Sequence, residues 1–166
     1  MTKRVIEMPE LGMGTFRLEG DTAYNSVKMA LEVGFRHIDT AQIYGNEEQV
    51  GQAIKDSNIP RSEIFLTTKV WNNKLNKSDF IPSVKKSLEK LQVDSVDLLL
   101  VHWPSPANDE PMSEYLTELL KAKQLGLTKH IGVSNFTIAN LNEAMQTLDS
   151  REIFTNQVEV HPYLTN

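Results

Sequence analysis

The chain contains no cysteine, which excludes disulfides, thiolate nucleophiles and Cys-ligated metals together. Long hydrophobic runs are also missing. The longest apolar stretch, Val96 to Trp103, is broken by Asp97 and His102 and falls far short of the ~20 residues a membrane-spanning helix needs. Met1 to Glu10 is charged and has no apolar core, so a secretory signal is not expected. No polybasic run occurs either. The 17 basic and 22 acidic side chains are dispersed along the chain for a net charge of -5, which argues against nucleic-acid or anionic-membrane partners. What remains is the expectation of a cytoplasmic, soluble protein without a bound metal.

What is present is a regular alternation of strand-like and helix-like segments. Strands are expected near Leu11–Phe16, His37–Thr40, Ile64–Val70, Val96–His102, His130–Asn135 and Thr155–Val160. Helical patterns lie between them, at about Thr22–Val33, Glu47–Asp56, Ser78–Leu91, Met112–Leu125 and Ile138–Leu148. In the third of these, Ile81, Val84, Leu88 and Leu91 recur at helical spacing. Ser78 before Asp79 reads as a helix start, while Gly34 and Gly126 read as stops. Val96 to His102 is apolar on both faces, as a parallel strand is when helices cover one side and a barrel interior the other. No linker or composition break interrupts residues 1–166, so these βαβ units form a single domain.

Two architectures suit such a chain, a doubly wound sheet and a (β/α)8 barrel. A dinucleotide-binding doubly wound fold should carry Gly-x-Gly-x-x-Gly in its first βα turn. The turn here, Gly12-Met13-Gly14-Thr15-Phe16-Arg17, lacks the third glycine and the immediate helix. The barrel is therefore preferred, although a complete one needs eight strands and about 250 residues. With six strands and five helices in 166 residues, this one reads as incomplete. An unclosed parallel sheet leaves edges and apolar faces uncovered. The expectation is thus a portion of a longer barrel, or a chain that self-associates; the complete barrel is expected to be a monomer.

Barrels carry their reactive side chains at the C-terminal ends of strands, and the polar residues here respect that rule. Asp39 ends the second strand and Tyr44 comes next in the loop; Lys69 ends the third and His102 the fourth. Singly, each has an ordinary explanation: a turn-capping Asp, a packing Tyr, a snorkelling Lys, a hydrogen-bonded His. Together on consecutive strands they suit carbonyl reduction, which needs a hydride on carbon and a proton on oxygen. A phenol titrates near pH 10. A buried ammonium beside it is expected to lower that value, with a carboxylate paired to the ammonium. An imidazole can then orient the carbonyl oxygen. Lys69 as a Schiff-base residue of a barrel aldolase is the alternative chemistry, and an inactive partial barrel the non-enzymatic one.

The segment Gly34-Phe35-Arg36-His37-Ile38-Asp39-Thr40-Ala41, with Tyr44, Asn46, Glu47, Val50 and Gly51, resembles the first aldo-keto reductase signature. Lys129-His130-Ile131-Gly132-Val133-Ser134-Asn135-Phe136 resembles the second. Thr68-Lys69, Leu100-Val101-His102-Trp103-Pro104 and Asn156-Gln157-Val158-Glu159-Val160-His161-Pro162-Tyr163 are similar to further strands of that family. The resemblance implies Tyr44 as general acid, Lys69 and Asp39 as its tuners and His102 as the carbonyl-orienting group. It also implies Ser134, Asn135 and Gln157 against a nicotinamide ring, with Gly14, Thr15 and Asp39 nearby. Phe16, Trp71, His102 and Trp103 would then wall the substrate pocket. NADPH is implied by the resemblance alone, since the family's basic segment for the 2′-phosphate belongs to strands beyond Asn166. Within the family, the wording around Gly14 to Leu18, Asp39 to Tyr44 and His102 to Pro106 is most similar to bacterial 2,5-diketo-D-gluconate and methylglyoxal reductases. Small aldehydes, ketones and dicarbonyls are the implied substrates.

Overall fold

Strand and helix alternate because each strand must be covered by the helix that comes after it, and the computed structural model shows that succession directly. It describes residues 8–149 and 151–165, so most of the charged N-terminal segment read from Met1 to Glu10 lies outside the described residues. The strands are β1 (Met13–Gly14), β2 (His37–Asp39), β3 (Phe65–Val70), β4 (Val96–Val101), β5 (Thr128–Ser134) and β6 (Ile153–Gln157). The helices are α1 (Gly20–Glu32), α2 (Glu47–Lys55), α3 (Phe80–Leu91), α4 (Met112–Gln124) and α5 (Ile138–Thr147). Short 3-10 turns occur at Gln42–Tyr44, Arg61–Glu63, Asn72–Lys74 and Pro106–Asn108. Among the described residues no helix is long and apolar enough to cross a membrane.

The six strands among the described residues are all parallel and lie in chain order, β1-β2-β3-β4-β5-β6. A doubly wound sheet would reverse direction at a switch point; this one does not. The sheet also curls. Neighbouring strands sit about 4.8 Å apart, so in a flat sheet β2 and β6 would be roughly 19 Å apart. Yet the Gln157 amide of β6 donates to Asp39 Oδ2 of β2 at 2.9 Å. Phe65 of β3 and Phe154 of β6 likewise stack with ring centroids 6.4 Å apart. The chain is therefore an arc of a barrel, closed enough for its second and sixth strands to touch.

Strand alternation assigns each side chain to a layer. Val27, Leu31, Val50, Val84, Leu88, Leu99, Val101, Leu116, Ile131 and Val133 form the outer core between strands and helices. Phe65, Leu98 and Leu100 form a smaller inner cluster. In β3, Thr68 turns outward to donate to Glu47 of α2 at 2.7 Å, and Lys69 turns inward. Continuing the parity of Leu98 and Leu100 brings His102 inward as well.

Several boundaries differ from the expected ones for identifiable reasons. Ser78 does not start α3; its hydroxyl donates to Asn76 Oδ1, which also accepts the Asp79 N–H, so the helix begins at Phe80. Gly34 and Gly126 do end their helices, at φ +108 and +73. The first strand shortens to Met13–Gly14 because Thr15 turns its hydroxyl onto Asp39 O at 3.0 Å. The sixth begins at Ile153, ahead of the expected Thr155, and its register with β5 slips between the Ile131–Ile153 and Val133–Asn156 pairs. That bulge inserts one residue and flips the faces of the residues after it. It turns Gln157 toward Asp39 and leaves Asn156 gripping the Phe136 backbone.

Gly51 shows how closely α2 and α3 approach. A Cβ built there would lie 2.5 Å from the Leu91 carbonyl carbon and oxygen, and these are backbone atoms that cannot rotate away. Gly51→Ala is expected to cost about 2 kcal/mol through overpacking and to lower Tm by about 4–8 °C, read by calorimetry. An unchanged Tm would mean that the two helices part freely.

Candidate active site

The buried charge pair is the base of the site. Lys69 is 1% exposed, and its Nζ donates to Asp39 Oδ1 at 2.5 Å and to Thr40 O at 2.9 Å. Asp39 is held from the other side by Gln157 and through its backbone carbonyl by Thr15. Burial pulls the Lys69 ammonium below its ordinary range, while Asp39 opposes that shift by charge and hydrogen bond. An isolated ammonium is costly at such a depth, and the paired carboxylate offsets part of that cost.

Tyr44 stands above this pair at the end of its 3-10 turn, with Lys69 Nζ 5.2 Å from the ring centroid. The ring meets His102 edge-on at 5.6 Å and Phe16 at 5.2 Å. The expectation that Lys69 lowers the phenol is not met. Tyr44 is pushed up to about 12, first by burial and then by the Asp39 carboxylate. The physical reason is burial of the phenol, which penalises the charged form, reinforced by the negative charge of Asp39 nearby. The hydroxyl is therefore fully protonated at neutral pH.

His102 comes directly after β4, its backbone N–H donating to Val70 O at 3.1 Å. It is 7% exposed, and its ring packs edge-on against Trp71 at 5.1 Å. Burial drives its pKa down to about 4, helped by Lys69 and opposed by Asp39, so the imidazole is neutral. Its Nδ1 is buried without a hydrogen-bond partner among the described residues. An unpaired lone pair is cheaper to bury than an unpaired N–H, which assigns the proton to Nε2.

Asn135 sits just past β5 in the left-handed region, φ 60. That turn aims its amide at His102 O and Ser134 Oγ, each 3.0 Å away, while Ser134 Oγ donates to Gln157 O at 2.8 Å. A cavity of about 550 Å³ opens above these groups. Phe16, Tyr44, Trp71, His102, Trp103, Ser134, Asn135 and Gln157 line it.

Lys69 and Asp39 lie beneath this cavity and outside its lining. Thr15 is buried, with its hydroxyl engaged on Asp39 O. Gly14 borders open space, since a Cβ built there meets nothing within 4 Å. Ile43, Val158 and Glu159 complete the lining without a role having been read for them from the sequence, and the same holds for the structural part played by Asn46. The Asn46 amide donates to Thr15 O and Leu18 O, both at 2.9 Å, and so shapes the first βα loop. A buried amide among backbone carbonyls needs partners, and that is the signal that could have found it.

The curled parallel sheet gathers Asp39, Tyr44, Lys69 and His102 toward the C-terminal ends of its strands, where a parallel (β/α) barrel carries its functional side chains. The aldo/keto reductase family pattern matches residues 10–166, and the chain belongs to that family. Over 159 residues it is 52% identical to methylglyoxal reductase DkgB of Salmonella typhi, covering 96% of this chain and 60% of that protein. It is 44% identical to the glyoxal reductase of Bacillus subtilis, covering 96% of this chain and 57% of that protein. A crystal structure of a candidate 2,5-diketo-D-gluconic acid reductase B superposes with a TM-score of 0.91 at 50% identity, covering 96% of this chain and 56% of that one. The chain thus spans about 60% of the length of the curated relatives it matches.

Proposed function

We propose that the protein reduces small aldehydes, ketones or dicarbonyls of the methylglyoxal or 2,5-diketo-D-gluconate type, using NADPH and Tyr44 as general acid. The observation that carries this reading is the Tyr44 ring meeting His102 edge-on at 5.6 Å in the lining of one cavity, above the buried Lys69–Asp39 pair. The names of the relatives support the substrate class. A cytoplasmic location and a small-molecule partner go with it.

The residues present fit a flat, amide-bearing nicotinamide ring. Ser134, Asn135 and Gln157 bring polar groups to one wall of the mouth, and Gly14, at the end of β1, leaves open space beside the first βα loop. When bound, the reduced nicotinamide supplies the hydride that adds to the carbonyl carbon. His102 donates through Nε2–H to the carbonyl oxygen and holds it toward Tyr44. As negative charge develops on that oxygen, the Tyr44 hydroxyl gives it a proton, and Lys69 stabilises the phenolate left behind. Asp39 keeps Lys69 charged and in place. Phe16, Trp71 and Trp103 give the mouth its apolar side, with Phe16 and Trp103 at the exposed rim. Schiff-base chemistry is disfavoured, because Lys69 Nζ is clasped by Asp39 and Thr40 and lies outside the cavity.

The test is loss of NADPH absorbance with methylglyoxal present. Consumption that depends on the dicarbonyl and falls when NADH replaces NADPH is the expected result. No consumption with either cofactor, by this chain and by one extended to the length of its relatives, would overturn the reading.

A further inference from the structure

Gln42 is drawn neither to the proton path nor to the hydride path, yet it is bonded on both sides of its amide. Its Oε1 accepts the backbone N–H of Trp71 at 2.9 Å. Its Nε2 donates to Ser83 Oγ at 3.1 Å and Ser87 Oγ at 3.2 Å, both on α3. Ser83 is fixed in turn by donating to Phe80 O at 2.8 Å. Gln42 also opens the 3-10 turn that ends on Tyr44. One side chain therefore joins the turn of the acid, the residue after β3 and the face of α3.

Trp71 needs such a tie. On one side of it lies the mouth of about 550 Å³. On the other lies a second cavity of about 420 Å³, whose lining includes Gln42, Lys74, Ser83 and Ser87. Packing holds a side chain by surrounding it with partner atoms, and a partition with open space on both faces lacks them. The edge contact with His102 orients the indole. The Asn72 amide, 3.2 Å from Pro104 O, ties the next residue to the β4 loop. Neither bond fixes the Trp71 backbone relative to Tyr44; the Gln42 bond does.

We propose that Gln42 is a positioning residue that sets where Trp71 stands, and with it the width of the pocket for a small carbonyl substrate. This rests on the carbonyl-reductase reading above. Without the bond, the Trp71 N–H loses its acceptor and the loop gains the freedom to move into the second cavity. Small substrates then lose contact while the Tyr44–His102 pair keeps its place. The effect falls on binding that is the same in ground and transition states, so KM rises and kcat holds.

The experiment has two arms. In the first, Gln42→Met is compared with the unsubstituted chain for methylglyoxal reduction. KM is expected to rise about tenfold with kcat changed less than about threefold, and Gln42→Glu, whose carboxylate still accepts from Trp71 and takes the Ser83 and Ser87 hydroxyl protons with the donor sense reversed, should restore KM. In the second, a Trp103→Phe background leaves Trp71 as the sole indole of the two tryptophans. Acrylamide quenching of its fluorescence should rise about twofold with Gln42→Met, as the ring gains access to solvent, and return with Gln42→Glu. If Gln42→Met loses its helical circular dichroism, the double substitution Ser83→Ala, Ser87→Ala removes the far anchor and should raise quenching in the same way. Unchanged quenching and KM would overturn the proposal, as would a fall in kcat without a change in KM. The quenching arm needs no turnover, so absence of reductase activity would sink the functional reading while leaving the tether decided.

Discussion

Tyr44→Phe is expected to lower kcat for carbonyl reduction about 10³-fold, the scale of a lost general acid. The substitution removes one oxygen and keeps the ring, so the contacts with Phe16 and His102 at 5.2 and 5.6 Å persist. Stability should hardly change, and NADPH affinity, followed by quenching of the cofactor's fluorescence, should stay within about twofold because no hydride-donor contact is assigned to that hydroxyl. The unsubstituted protein has a matching pH signature. Tyr44 is pushed up to about 12 and His102 down to about 4. Neither group changes charge between those limits, so kcat should be flat across neutral pH. A variant that keeps more than a tenth of the activity, or a profile with a step near pH 7, would move the acid to another residue.

Asp97→Ala is expected to cost about 3 kcal/mol, the combined loss of a buried ion pair and of the acceptor for a buried N–H. Asp97 is 1% exposed at the end of β4 opposite His102. Its carboxylate takes Arg61 at 2.7 Å, Lys129 at 2.5 Å and the Leu66 N–H at 2.9 Å. It thereby knots β3, β4, β5 and the Arg61–Glu63 turn at the base of the sheet. The two cations reach solvent and can rehydrate, but the Leu66 N–H cannot, and this sets the size of the loss. A fall in Tm of about 6–12 °C is expected for a domain of this length. The pH dependence has a definite sign. Burial pushes the carboxyl up, but hydrogen bonds from Lys129, Leu66 and Arg61 outweigh it and hold the group below the usual range. The folded value is depressed, so the contribution is fully present above the unfolded value of about 3.9 and disappears as pH falls through the folded one. Melting curves of the two proteins should therefore be well separated at neutral pH and converge in acid. A constant gap would place the cost in packing alone.

Much of this architecture was legible because its periodicities are simple. The outer helices repeat their apolar residues at helical spacing, and β3 and β4 are buried along their full length, as parallel strands under helices must be. Asp39, Lys69 and His102 were legible because strand ends in a barrel converge by construction. What stayed hidden depends on contacts between distant segments. The bulge in β6 decides that Gln157 and not Asn156 faces Asp39, and no local pattern marks it. The 3-10 turns at Gln42–Tyr44 and Asn72–Lys74 are too short to carry a period. The upward shift of Tyr44 runs against the direction expected from the residue types, because it is set first by how deeply the phenol is buried, which no local pattern shows, and then by Asp39.

The hydrogen bond from Gln157 to Asp39 has a consequence for the order in which the molecule is made. Most pairings join adjacent strands and close modest loops, whereas this bond spans 118 residues. Loop-closure entropy grows with that span and must be met before the contact gives anything back. Lys69, Asp39 and Tyr44 can assemble once the first three strands have emerged from the ribosome. The clasp that completes their surroundings waits for the sixth strand to curl across. A nascent chain thus holds Tyr44 and the Lys69–Asp39 pair well before Gln157 crosses to Asp39, so this contact forms later than the side chains it surrounds.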